Sequence, residues 1–143
     1  MLNLFANAAA LLLACDPGDL FLTPEGAGAG DGSSWENARA ATKETFQSAW
    51  DALAPGGTLY VGSGTYTALE IKAAKGGEPG KPIRLAGVDR GAGLPQFIGD
   101  FDKRKGCAKF FDAKEGVSHL EITGIRLKRY RIGIHLRGKS SHV

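Results

Sequence analysis

The stretch Val117–Val143, "VSHLEITGIRLKRYRIGIHLRGKSSHV", opens with Ser118-His119-Leu120 and closes with Ser141-His142-Val143, the same phrase 23 residues on. Leu120 and Ile122 alternate with polar neighbours and read as one short strand. Gly124 marks a bend, Ile125 and Leu127 form a second strand, and Ile132, Ile134 and Leu136 a third. Gly138 then turns the chain back. Three short strands and their turns, returning to the start every twenty-odd residues, make one unit of a stacked repeat. Stacking would bring Leu120 over Val143, and His119 over His142, about one strand spacing apart.

The same texture runs upstream. "TLYVGSGTY", "LEIKAA", "IRLAG", "QFIGDF" and "KFFDA" are short apolar-alternating runs, each ending at Gly, Asp or a loop. Leu69, Ile71, Ile83 and Leu85 face inward by this alternation, and Glu70, Lys72 and Arg84 outward. Hairpins would call for Asn-Gly or Asp-Gly turns between strands, yet Asp31-Gly32, in an early Gly-rich loop, joins none. That loop carries Gly26, Gly28, Gly30 and Gly32 without the third glycine of a dinucleotide fingerprint. One segment has a helical period. In Thr42–Leu53, Phe46, Ala49, Trp50 and Leu53 fall at i, i+3, i+4 and i+7, with Thr42 as N-cap and Pro55-Gly56-Gly57 as terminator.

The chain has 143 residues, enough for one domain with its own core. With 21 Gly and only 6 Pro, it is built for tight turns between short strands. Two cysteines, Cys15 and Cys107, do not make a disulfide scaffold. The net charge of +3 is unevenly spread: Arg126 to Lys139 holds six Lys/Arg and no acid. Such a face suits anionic partners, acidic polysaccharide among them, or serves as a solvated outer surface.

Residues 1–19 read as a leader. The apolar run Ala8–Ala14 is too short to span a bilayer but has the length of a signal-peptide core, although no Lys or Arg precedes it. Leu12-Leu13-Ala14-Cys15 resembles a bacterial lipobox, which makes Cys15 a candidate for lipidation. We expect export to the cell envelope or beyond, with membrane contact only through that lipid.

Four segments carry a wider likeness: "FLTPEGAGAGDGSSWENA", "TFQSAWDALAPGGTLYVGSGTY", "IKAAKGGEPGKPIRLAG" and "LEITGIRLKRYRIGIHLRGKSSHV". Together they resemble the N-terminal part of right-handed parallel β-helix proteins, the pectate-lyase-like superfamily. The resemblance implies an all-β fold, a right-handed parallel β-helix (solenoid) with an N-terminal capping α-helix. Residues 20–143 would then hold the cap and about three coils, incomplete at the C-terminus and completed by further coils or another chain.

Members of that superfamily commonly bind or cleave polysaccharides, as lyases with an Arg or Lys base and Asp-bound calcium, or as hydrolases with clustered Asp. Calcium is thus an expectation for full-length relatives, while these residues identify no cofactor. No carboxylate pair suited to glycoside hydrolysis is evident, and His119 with His142 falls short of a metal-ligand set. The candidates for substrate binding are Arg126, Lys128, Arg129, Arg131, His135 and Arg137. We expect a protein that binds or processes polysaccharide with no catalytic constellation in this stretch, or else a non-catalytic adhesin or tailspike-like module. No nucleic-acid partner is expected.

Overall fold

The computed structural model describes residues 18–138. The lipobox-like Cys15 and the Leu120–Val143 and His119–His142 stacking partners lie outside them. Eleven strands and one helix follow in order: β1 (Leu20–Thr23), β2 (Arg39–Ala40), α1 (Lys43–Ala52), β3 (Thr58–Val61), β4 (Thr65–Thr67), β5 (Ile71–Ala73), β6 (Ile83–Gly87), β7 (Gln96–Ile98), β8 (Lys109–Ala113), β9 (Leu120–Thr123), β10 (Arg126–Lys128) and β11 (Ile132–Leu136). They form three sheets. Sheet A runs β2-β1-β3-β6-β9, sheet B β4-β7-β10 and sheet C β5-β8-β11. Every named pairing is parallel.

From β3 onward the chain therefore visits A, B and C in rotation, three times. Each of these nine strands pairs with strands one circuit away and never with its sequence neighbour, whereas β2 pairs with β1. The step is uneven. Ile134 lies over Phe111, 23 residues earlier, whereas Phe111 lies over Ile71, 40 residues earlier. The longer step is taken up by the loops 88–95 and 99–108, outside the strands.

Alternation sets the core. Leu20, Leu59, Leu85 and Ile122 stack as one row on sheet A, and Tyr66, Phe97 and Leu127 as another on sheet B. On sheet C, Ile71 and Phe111 are buried and continue to Ile134, as Ala73 and Ala113 continue to Leu136. Ile134 and Leu136, read from sequence as inward residues, are 43% and 41% exposed. They sit on β11, which among the described strands has a neighbour, β8, on one side only. Where circuits meet most closely, side chains are excluded: a Cβ on Gly87 would stand 1.9 Å from the Gly124 carbonyl oxygen.

Helix α1 closes the opposite end. Thr42 and Thr45 form a reciprocal cap, Thr45 N to Thr42 Oγ1 at 3.1 Å and Thr42 N to Thr45 Oγ1 at 2.8 Å, so two orphan amides are satisfied. Phe46, Ala49, Trp50 and Leu53 are fully buried. Phe46 stacks on Phe97 with ring centroids 5.5 Å apart, and Trp50 meets Phe111 edge-on at 5.1 Å. Sheet A extends two strands beyond β3, to β1 and β2, while sheets B and C begin at β4 and β5. The exposed backbone at β5 is met by Gln47 of α1: its side chain accepts from Lys72 N at 2.8 Å and donates to Lys72 O at 3.2 Å. Among the described residues, no helix is long and apolar enough to cross a membrane.

Candidate functional site: basic strips on two neighbouring sheets

Register divides the six basic candidates between two surfaces. Arg126 and Lys128 flank inward-facing Leu127 on β10, at the edge of sheet B, and both are exposed. They stand level with Gln96 and Ile98 of β7, which are in turn level with Thr65 and Thr67 of β4. The outer face of sheet B thus carries two cations at its edge, then an amide beside the apolar Ile98, then two hydroxyls. Arg129 and Arg131 follow in the turn towards sheet C, also exposed. None of these four cations makes an ion pair among the described residues. Arg129 adopts a left-handed backbone, φ 57°, at a corner equivalent to that of Ala68, φ 53°, one turn type recurring between sheets B and C.

His135 and Arg137 belong to sheet C, where β11 sets His135 directly beside Asp112 of β8. Asp112 is level with Lys72 on its other side. The Asp112 side chain is only 15% exposed, and Lys109, His135 and Arg137 converge on it. His135 Nδ1 lies 2.7 Å from Oδ1, Arg137 Nη2 2.8 Å from Oδ2, and Lys109 Nζ 3.1 Å from Oδ2. Lys109 Nζ is also 3.0 Å from His135 Nδ1. The carboxylate can only accept, so we assign the Nδ1 proton to the His135–Asp112 bond and let Lys109 donate to Oδ2.

These contacts favour the ionised carboxylate. The Arg137 hydrogen bond, followed by those of His135 and Lys109, holds Asp112 well below the usual carboxylate range despite its burial. The same pair raises Arg137 above the ordinary arginine value, through its hydrogen bond to Asp112 and then their charge attraction. An arginine held this way is a fixed cation, and the lyase-base role that the family resemblance raises does not suit it. Lys72, Asp112, Lys114, Glu115 and Arg137 line an open depression of about 630 Å³ beside the cluster.

Asp112 is the residue that sequence reasoning left out. Its neighbours come from the next circuit, but a signal was present: the 23-residue step that relates His119 to His142 also relates Asp112 to His135. Cys107 is half-buried, its Sγ 3.4 Å from the Ala68 carbonyl oxygen. No group of three or more His, Cys, Asp or Glu among the described residues could hold a metal ion.

Comparison with known proteins returned no matching family model, no matching curated protein and no matching solved structure.

Proposed function

We propose that this chain is the helix-capped end of a right-handed parallel β-helix of the pectate-lyase-like kind, working in the cell envelope or outside the cell. Its task is to bind acidic polysaccharide along the outer face of sheet B. The fold part of this reading is supported by the threefold rotation through three parallel sheets, and its handedness by the strong right-handed preference of parallel crossovers. The observation that carries the function is the row of free cations. Arg126 and Lys128 point outward from one strand with Arg129 and Arg131 just beyond, and none of the four makes an ion pair among the described residues. Guanidinium and ammonium groups on this face can hold successive carboxylates or sulfates of a glycan, with Thr65, Thr67 and Gln96 to hydrogen-bond its hydroxyls and Ile98 to contact its apolar ring faces.

A binding role is favoured over cleavage by Asp112. Its carboxylate is occupied by Lys109, His135 and Arg137 of the same sheet or its edge. His135 and Arg137 are correspondingly less available to a ligand than the four unpaired cations. The whole protein then acts as a surface-binding module, with lyase or hydrolase chemistry as the reading to exclude.

Titrating the chain with polygalacturonate at rising salt tests this. Binding should weaken steeply with salt, and Arg126→Ser with Lys128→Ser should reduce it about tenfold at low salt. Affinity indifferent to salt, or untouched by the double substitution, refutes the assignment. Release of unsaturated oligosaccharide would refute the non-catalytic part.

A further inference from the structure

Five non-glycine residues among those described adopt left-handed backbone, and three are cations: Lys103 (φ 43°), Arg104 (φ 72°) and Arg129 (φ 57°). The segments that carry them share one corner. Phe101 N donates to Arg129 O at 3.2 Å, which ties the root of the 102–105 loop to the turn after β10. Asp102 and Lys105 exchange backbone hydrogen bonds of 3.0 and 2.8 Å, making Lys103 and Arg104 the two tip residues of a two-residue hairpin. Positive φ at both tip positions is the geometry that Asn-Gly fills with least strain. Here the tip holds two long cationic side chains instead. Both are exposed, and neither makes an ion pair among the described residues. The strain therefore has no return in packing, and uncompensated strain of this kind gathers at ligand clamps.

The loop is also net positive at its tip. Asp100, at the root of the loop, is engaged within it, its carboxylate accepting from Cys107 N. That leaves Asp102 against Lys103, Arg104 and Lys105. We propose that the 102–105 turn is a cationic finger that closes, with Arg129, over an acidic glycan lying on Arg126 and Lys128. The proposal rests on the glycan-binding reading and adds a second, projecting point of grip that a flat sheet lacks. Carboxylate and sulfate groups both fit an ammonium beside a guanidinium fork, so the ligand is defined as an acidic glycan of either kind.

The test uses the full chain with polygalacturonate as the carboxylated probe and heparin as the sulfated one. Lys103→Asn with Arg104→Gly is compared with Arg126→Ser plus Lys128→Ser. We expect the finger variant to melt a few degrees higher, because the backbone strain is relieved, and to bind about three- to tenfold more weakly. Loss confined to one glycan identifies the acidic group. A finger variant of undiminished affinity, beside a weakened sheet variant, overturns the finger and leaves the binding face standing. A lower melting temperature removes the strain argument and with it the proposal. A native chain that binds neither glycan brings down both readings. Duplex DNA bound as tightly as either glycan would overturn the assignment to glycan in favour of an undiscriminating polyanion surface.

Discussion

The side chain of Gln47 takes both backbone hydrogen bonds of Lys72, accepting from its amide at 2.8 Å and donating to its carbonyl at 3.2 Å. A helix residue thus stands where the next strand of sheet C would be. Bare strand edges invite pairing with other chains, and this contact blunts one of them. Gln47→Ala should lower stability by about 1 kcal/mol in urea unfolding. Gln47→Glu should do no better, since a carboxylate cannot donate to Lys72 O and would face Asp51, which Gln47 Nε2 now contacts at 3.0 Å. Both variants should self-associate more readily on sedimentation.

Phe46 and Trp50 fill the closed end of the core, and their substitutions should part company. Phe46→Ala removes a fully buried ring stacked on Phe97 and should cost about 3–5 kcal/mol. Trp50→Phe should cost less than about 1.5 kcal/mol. The indole N–H has no hydrogen-bond partner among the described residues, so its removal recovers part of the lost packing. Equal losses in thermal unfolding would contradict this.

Asp112 gives a pH dependence whose sign is set by its lowered pKa. A carboxylate that ionises more readily folded than unfolded stabilises the fold above its unfolded value, about 4, and that contribution fades as pH falls towards the folded value. Asp112→Asn should therefore be less stable than the native chain at pH 7, by about 1–3 kcal/mol. The gap should narrow in melts below about pH 4. A gap that is constant with pH would show that Lys109, His135 and Arg137 do not depend on the charge.

Two turn positions should respond in opposite directions. Gly87→Ala would drive a methyl into the Gly124 carbonyl and should cost more than about 2 kcal/mol. Ala68→Asn, at φ 53°, places a residue tolerant of left-handed backbone at a strained corner and should stabilise by up to about 1 kcal/mol. Urea midpoints decide both.

In a Cys15→Ser background, the Cys107 thiol should alkylate slowly at mildly alkaline pH. Burial, and then the Asp100 carboxylate, push its pKa up, which leaves little thiolate. Rapid labelling of the folded chain would contradict the half-buried placement.

The helix and the inward rows were legible because each rests on a local apolar period. Thr42 and Leu53 were recognised as its boundaries, and Leu69, Ile71, Ile83 and Leu85 are buried as alternation predicts. The basic strip was legible as composition but not as geometry. Which cations are free and which are spent on Asp112 depends on register across circuits. Loops of unequal length between strands hide that register. At β8, Phe110 and Phe111 are both buried, which breaks the alternation that would have marked Asp112 as an outward neighbour of His135. The two-residue β2 has no apolar period at all and is defined only by its pairing with β1.

The rotation through sheets A, B and C limits how far the polypeptide must search while it folds. The widest pairing, Ile71 with Phe111, closes a segment of 40 residues, and no ladder between named strands asks for more. Chain-closure entropy grows only slowly over such spans, so ordering can advance rung by rung from whichever turn forms first. Damage should be equally local: a defect in β10 loosens its own level and the one beside it, while the helix-covered base keeps its protection against hydrogen exchange.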